Sequence, residues 1–530
     1  MKKYRSSGEI TVFLSLISVL FLSLLCTAIE SARIQGARAK AAASLDMGLF
    51  SVFGEYENQV LEDYDVFFLD GAYGSGNYSI ANMEGKLEEY MAPNISPNED
   101  LLFTGYDPFG LQKESSGIKG VALATDGKGA GFYQQAVGFM HENLAEEAVT
   151  AWLERKEEGS RLDDAGKNYE EYQSSMEEEL KRLQEEQKRI EEEQKRQREQ
   201  EEAARKAAME ENGMTVVTES SLPAAQEKKE TLPDKDNPLE VIGKIRKKGI
   251  LGLVLGPAEA GISDKKLSAD RPSARKLKKG KLSIEKKYGG ITDDLLFQEY
   301  LFRRFPLYTD HQQKNGIPDY ALEYILCGKN TDEKNLKAVI TRLLLLREGA
   351  NFAYLCAEPA RRREAEGLAL LVVGAIPVPG LQAATASALM LAWAYAESLV
   401  DLRILFSGGK VPVMPTPGSW HLDLTDVPDL LKILDDQGVS QTEGLDYEGY
   451  LQILFTMGSS SKYPMRALDL IEADIRNNTS NTGFRADHAV IKAEASADFT
   501  IPPVFLCISN AFLRTGTASL SYSVSGTFSY

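Results

Sequence analysis

Four histidines, His141, His311, His421 and His488, are the side chains best suited to bind a metal or move a proton near neutral pH. No two of them stand at the i, i+3 or i+4 spacing that puts both ligands on one helix face, so the pattern of a zinc hydrolase is absent. Adjacent carboxylates come next: Asp293 with Asp294 and Asp435 with Asp436 are pairs of the kind that perform acid/base work or hold a cation. Among 78 acidic residues such pairs arise by chance. Asp293 and Asp294 also suit a helix N-terminus, where the macrodipole favours negative charge. The sequence holds no G-x-S-x-G elbow, no G-x-x-x-x-G-K-[ST] phosphate loop and no G-x-G-x-x-G; GAYGSGN at Gly71 reads as a turn. Trp393 and Tyr395, in an Ala-rich stretch, read as core. The residues therefore predict no catalytic, metal or cofactor site, and no enzyme.

Composition narrows the classes further. The chain has 530 residues, 43% of them hydrophobic, enough to build real cores in two to four units. A net charge of −18 leaves nucleic acid without electrostatic support as a partner. Cys26 lies in an apolar run, and Cys327, Cys356 and Cys507 allow at most one bridge; buried thiols are expected.

The elements that would position any chemistry begin with a membrane anchor. Ile10 to Ile29 are twenty residues without a charge, and at 1.5 Å per residue they match a bilayer core of about 30 Å. The run is longer than the apolar region of a removable signal and lacks a good small-x-small site, so it is expected to stay. Lys2, Lys3 and Arg5 precede it while Arg33, Arg38 and Lys40 follow, which favours the amino terminus inside and the bulk outside. After Ile29 the high helix propensity and absence of proline, with Ile34, Ala41, Leu45, Leu49 and Val52 or Phe53 at helical spacing, predict one helix running from lipid into water.

On these residues the N-terminal sixty resemble the TadE/TadG class of pseudopilin-like proteins of tight-adherence pilus systems. Gly8 before the span, Glu30 and Arg33 just past it, and the Ala-rich Ala41, Ala42, Ala43 ending in Asp46 carry the likeness. It implies prepilin-type processing at Gly8 and Glu9 and a pilin-like role for Glu30 and Arg33. The pattern departs at Glu9, which follows Gly8 directly where pilin-type signals place a Glu five residues on. Further along, DYALEYILCGKNTDEKNLKAVITRLLLLREGANFAYL, AWAYAESLVDLRILFSGGKVP and YEGYLQILF with MRALDLIEADIR resemble a family of membrane-anchored proteins from Gram-positive anaerobes that is described only as a domain of unknown function.

The remaining organisation follows from pattern. Residues 1–9 form a cytoplasmic tail, 10–29 the transmembrane helix, 30–63 its pilin-like extension and 64–167 a mixed α/β module with Gly- and Asn-rich turns. Residues 168–212 are a charged helix or coiled coil, supported by i, i+4 pairs such as Glu177 with Lys181, each worth about 0.2–0.5 kcal/mol. Its apolar seam, Met176, Leu180, Leu183, Gln187 and Ile190, continues into Gln194 and Gln197, which leaves a solvated spacer or self-association by coiled coil. Residues 213–240 read as a linker and 241–291 as a basic segment, either solvated or facing anionic wall polymers or lipid headgroups. Residues 292–478 predict a helical domain, with Asn330 and Glu333 capping a helix striped by Leu336, Val339, Ile340, Leu343 and Leu344. Leu368 to Ala394 carries no charge, but Pro377, Pro379 and Gly380 interrupt it, so two buried helices are expected rather than a second span. Residues 479–530 alternate at period two and predict paired C-terminal β strands.

The expected class is α+β: a transmembrane helix continuing as a long helix, a charged helical insert, a helical domain and C-terminal antiparallel strands. The expected function is a membrane-anchored extracytoplasmic structural or assembly protein of a Tad-like pilus or secretion apparatus, with lipid and other pilus or envelope proteins as partners. The alternative is a cell-surface binding or sensing module that uses the charged helix as a spacer.

Overall fold

The computed structural model describes residues 7–95, 109–143, 146–211, 237–310, 315–373, 378–436, 443–505 and 519–530. Helix α1 (Ser7–Phe53) runs 47 residues without a break. Its first half carries its apolar side chains outward, Leu14, Leu20 and Leu24 being more than 60% exposed, and is long and apolar enough to cross a membrane. Its second half buries Ala37, Ala41, Leu45, Leu49, Val52 and Phe53, a stripe at helical spacing. One helix thus has an exposed apolar half and a packed half.

The elements that follow are α2 (Asn58–Tyr64), β1 (Leu69–Asp70), α3 (Ile80–Ile95), β2 (Gln112–Leu123), α4 (Asp126–Asn143), α5 (Glu146–Glu211), α6 (Pro238–Ile245), α7 (Ile250–Leu255), α8 (Ile291–Arg304), α9 (Ala321–Cys327), α10 (Asp332–Ala357), α11 (Pro359–Val373), α12 (Leu381–Phe406), α13 (Leu430–Asp436), α14 (Tyr447–Met457), α15 (Tyr463–Asn478), β3 (Ala489–Ile501) and β4 (Leu520–Ser529). The fold is α+β, mostly helical, with antiparallel strands at the C-terminal end.

β3 is the centre of the sheet. β2 pairs with it from Gln112↔Thr500 to Leu123↔Val490, β1 pairs with its first two residues, and β4 pairs from Leu520↔Ile501 to Ser529↔Lys492, all antiparallel. α1 and α3 lie on this sheet and share one apolar core with Val490, Ala493, Ala495, Ala497, Phe499 and Val524. Tyr522, Val524, Phe528 and Tyr530 turn toward that core as their alternation predicts, whereas Leu520 at the strand's start is 42% exposed. β2 comes from the stretch that the turn-rich sequence assigned to a mixed module, so the sheet joins chain segments almost 400 residues apart.

The larger core lies among α5, α10, α12, α14 and their neighbours. α12 runs through it almost fully buried, Trp393, Ala394, Leu399 and Val400 being inaccessible, so the second half of the uncharged stretch lies inside the body. Its first half, at the end of α11, is not buried as expected, Leu370 and Leu371 being 54% and 48% exposed, and Pro377 lies outside the described residues. The cap of α10 is one residue further on than expected: the Thr331 side chain accepts from Lys334 N (3.3 Å), while Asn330 accepts from Arg271. The charged helix also starts earlier than its composition suggests. α5 begins at Glu146 and spans 66 residues, roughly 100 Å. Its stripe Trp152, Gly159, Leu162, Gly166, Tyr169 and Leu183 is buried against this chain's own helices. The Leu183 end packs on Val378, Leu381 and Ala384, with Leu180 and Ile190 beside it. Beyond Ile190 the side chains described are exposed.

Candidate functional site

The best-defined polar site stands where α1 leaves its exposed apolar half. Glu30 and Arg33 are one turn apart on α1 and both are buried, at 1% and 7% exposure. Arg33 Nη2 donates to Glu30 Oε1 (2.7 Å) and Nε to Oε2 (3.3 Å). The pair then reaches far along the chain. Arg33 Nη1 donates to the Phe109 carbonyl (2.5 Å) and Nη2 to that of Pro502, while Glu30 Oε2 accepts from Phe505 N (3.0 Å) and both of its oxygens from Val504 N (3.3 and 3.4 Å). An ion pair taken out of water is sustained only when its remaining donors and acceptors find partners, and here the backbone supplies them. Gly36 completes the fit, because a Cβ there would overlap the Phe109 ring. The two residues picked out by the pilin-like pattern therefore clamp the helix to the near ends of β2 and β3. Gly8 and Glu9 lie in the first described turn of α1, both exposed.

A second polar network fills the helical body, and its members carried no motif. Arg347 is fully buried on α10; it donates to Asp401 Oδ2 (2.9 Å), Asn351 Oδ1 (3.1 Å), the Tyr450 hydroxyl (3.0 Å) and the carbonyls of Pro412 and Val413 (2.8 Å each). Next to it, Glu397, Asp401 and His421 present ligand atoms within 4.8 Å of one another, the only such trio among the described residues. Four of their six ligand atoms already hold hydrogen bonds. Glu397 Oε1 accepts from His421 N (2.8 Å) and meets His421 Nδ1 (2.9 Å), Oε2 accepts from Leu422 N (3.0 Å), and Asp401 Oδ2 takes Arg347 and Asn351. Burial disfavours a charged His421 ring, but the hydrogen bond and charge of Glu397 outweigh it and raise the pKa, while burial raises that of Glu397 itself. A divalent cation would have to break these bonds, so the donor set fits a stitch better than a metal centre: it holds the segment after α12 against α10 and α12.

The other candidates take structural places. Asp293 accepts from Gly289 N (2.7 Å) and meets His141 Nε2 (2.8 Å), and Asp294 accepts from the Tyr133 hydroxyl (2.9 Å), all at the start of α8, the helix-terminal role its sequence suggests. Asp435 is exposed. His488 is buried and stacked on Tyr78, and desolvation pushes its pKa down to about 4. His311 and Cys507 lie outside the described residues; Cys26, Cys327 and Cys356 are unbridged. Trp393 donates to the Leu422 carbonyl (2.9 Å) within the core.

The basic segment corrects the reading of a wholly solvated surface. Arg275 is buried, donating to Glu472 Oε1 (2.6 Å) and Oε2 (2.7 Å) and to Asp487, and Ser273 N donates to Asp469 (2.7 Å). Part of the positive charge is consumed inside the chain, neutralising the carboxylates of α15. Burial works against that Asp487 charge, but the Arg275 hydrogen bond wins and holds its pKa below the usual range.

Against known proteins, residues 227–501, just over half of the chain, match a family described as of unknown function, DUF5702. The matched stretch covers the basic segment, α6 to α15 and β3, but not α1 to α5, β2 or β4. No curated protein and no solved structure matches the chain. The chain is a member of the family of unknown function DUF5702.

Proposed function

We propose that this chain is a single-pass, membrane-anchored extracytoplasmic structural protein that takes part in assembly of a Tad-like pilus or secretion apparatus, without enzymatic activity of its own. One observation carries the reading: α1 is a single rod, half apolar and exposed, half cradled by α3, β3 and β4. A rod of that kind suits a subunit that must hold a folded body at a fixed height above lipid. The likeness to TadE/TadG proteins adds to it through Glu30 and Arg33, the residues that join rod to body.

The cations support a bulk that lies outside. Of the three that follow the span, Arg33 is buried in its ion pair, Lys40 donates to the Ile95 carbonyl (2.9 Å) and Arg38 lies over the Tyr522 ring (5.1 Å). All three belong to the folded body, which leaves Lys2, Lys3 and Arg5 to act as the inside signal. The partners would be lipid and other envelope or pilus proteins, not nucleic acid. A second reading, a surface binding or sensing module, is favoured by α5 beyond Ile190, about 30 Å of charged helix turned to solvent.

Deleting the chain from its own cells and imaging the surface tests the first reading. Fewer or shorter fibres, or loss of a secreted cargo, support it; surface fibres unchanged in number, length and composition, with secretion intact, refute it.

A further inference from the structure

Three strand ends converge where α1 leaves its apolar half. Gln112 at the start of β2 lies opposite Thr500, and Leu520 at the start of β4 lies opposite Ile501 at the end of β3. β4 runs beside α1 in the same direction: Arg38 covers Tyr522, Gly526 approaches Leu45 and Asp46, and Phe53 meets Phe528 and Tyr530. Moving back along both, the start of β4 comes level with the turns of α1 before Arg38. The clamp fixes this end more closely still. Glu30 accepts from Val504 N and Phe505 N, and Arg33 donates to the Pro502 carbonyl. Glu30 directly follows Ile29, the last residue of an apolar run whose twenty residues span about 30 Å of bilayer. Val504 and Phe505 are hydrogen-bonded to Glu30, the first charged residue after that run.

Among the described residues, this end exposes apolar side chains next to the polar Gln112, Ser519 and Ser521. Val504 is 49% exposed and Leu520 is 42% exposed, with Pro502, Pro503 and Phe505 partly buried between them and the clamp. Single exposed hydrophobics are ordinary on a soluble surface. Two on paired strand ends, beside the exit of an apolar helix, are not scattered. Of the charges at this end, Glu30 and Arg33 neutralise each other in a buried pair, while Glu114, on the β2 side, is exposed and accepts from Thr500.

Building on the reading that α1 spans the membrane, we infer that the β3–β4 end of the sheet is a second membrane contact, with Val504, Phe505 and Leu520 resting in the headgroup–acyl boundary beside the helix. The occupant of this surface is the bilayer. A lone span leaves the body free to tilt against the membrane; a second, off-axis contact with the bilayer limits that tilt. The body is then held at one inclination over the membrane.

The test uses the full chain in phosphatidylcholine vesicles containing a photoactivatable diazirine analogue with its label high on the acyl chain. After irradiation, trypsin releases residues 493–514 as one peptide between Lys492 and Arg514, and fragmentation locates the adducts. Adducts both in the 10–29 run and on 502–505 are expected. Val504→Asp with Leu520→Asp should lower labelling of 502–505 at least fivefold and leave that of the span unchanged. Labelling of the span with none on 502–505 in the unaltered chain overturns the second contact and leaves the anchor standing. Labelling of neither overturns both. The unaltered chain decides the matter even if the double variant does not fold.

Discussion

Glu30 and Arg33 show how a buried pair converts sequence into attachment. Replacing either one by Ala leaves the other charge buried without its partner, and should cost about 3–5 kcal/mol. Removing both should cost clearly less than the sum of the single losses, which denaturant unfolding of the detergent-solubilised chain would measure; strict additivity would mean that the pair is not coupled. Glu323 supplies a pH-dependent case. Burial lifts its pKa to about 7, only partly offset by bonds from the Tyr447 hydroxyl (2.7 Å) and Tyr308 N (2.9 Å), and its Oε2 has no hydrogen-bond partner. The folded chain therefore holds this proton more tightly than the unfolded chain does. Its stabilising effect is complete below the ordinary carboxyl value, declines as pH rises, and is gone above about 7. Glu323→Gln should flatten the stability curve across that window and leave the variant more stable at pH 8, by an amount of order 3 kcal/mol. Some slope remains, because burial raises Glu348 to about 7 as well. Melting curves of the two chains that stay parallel from pH 4.5 to 8 would refute this. At this scale the sequence singled out Glu30 and Arg33 on α1 but not what they touch, since Arg33 meets carbonyls 76 and 469 positions away. Arg347 was overlooked although a signal existed: it stands on the apolar stripe four residues after Leu343, where a charge must be either exposed or fully partnered.

Helices and strands differ in how plainly they announce themselves. The sequence predicts helices over 381–406 and 447–457, and α12 and α14 have those bounds, because a helix answers to local propensity and to one repeating face. β2 does not, since register shifts at Lys113/Ser115, Ile118/Gly120 and Ala122/Leu123 break its alternation. The first half of α5 was hidden by its glycines. Gly159 and Gly166 sit on its buried stripe, where they look like loop residues but serve close packing. A Cβ on Gly349 of α10 would stand 2.5 Å from Gly166 N and 2.6 Å from Ala165 C, backbone atoms that cannot rotate away. Gly349→Ala should therefore destabilise by about 1–3 kcal/mol from overpacking. On an open helix the same change would stabilise by up to about 1 kcal/mol. Thermal denaturation gives the sign: a raised melting temperature would show that α5 and α10 are not in close backbone contact.

For the molecule as a whole the question is whether the span and the body move together. α1 is continuous, yet Gly36 lies between the clamp at Glu30–Arg33 and the packed stripe that begins at Ala37, and glycine is the residue at which a helix bends most readily. With the clamp closed, the helix is held on both sides of Gly36. With it open, everything on the membrane side of Gly36 is tied to the body through one flexible position. Spin labels at Leu22→Cys in the span and Ser525→Cys on β4, in a chain whose four native cysteines are replaced by serine or alanine, report that coupling in lipid nanodiscs. A single narrow distance distribution is expected. Adding Glu30→Ala and Arg33→Ala should broaden it while the circular dichroism of the body stays the same. An equally narrow distribution in the clamp variant would mean that the helix alone is stiff enough to orient the body, and the buried pair would then be a device for folding rather than for alignment.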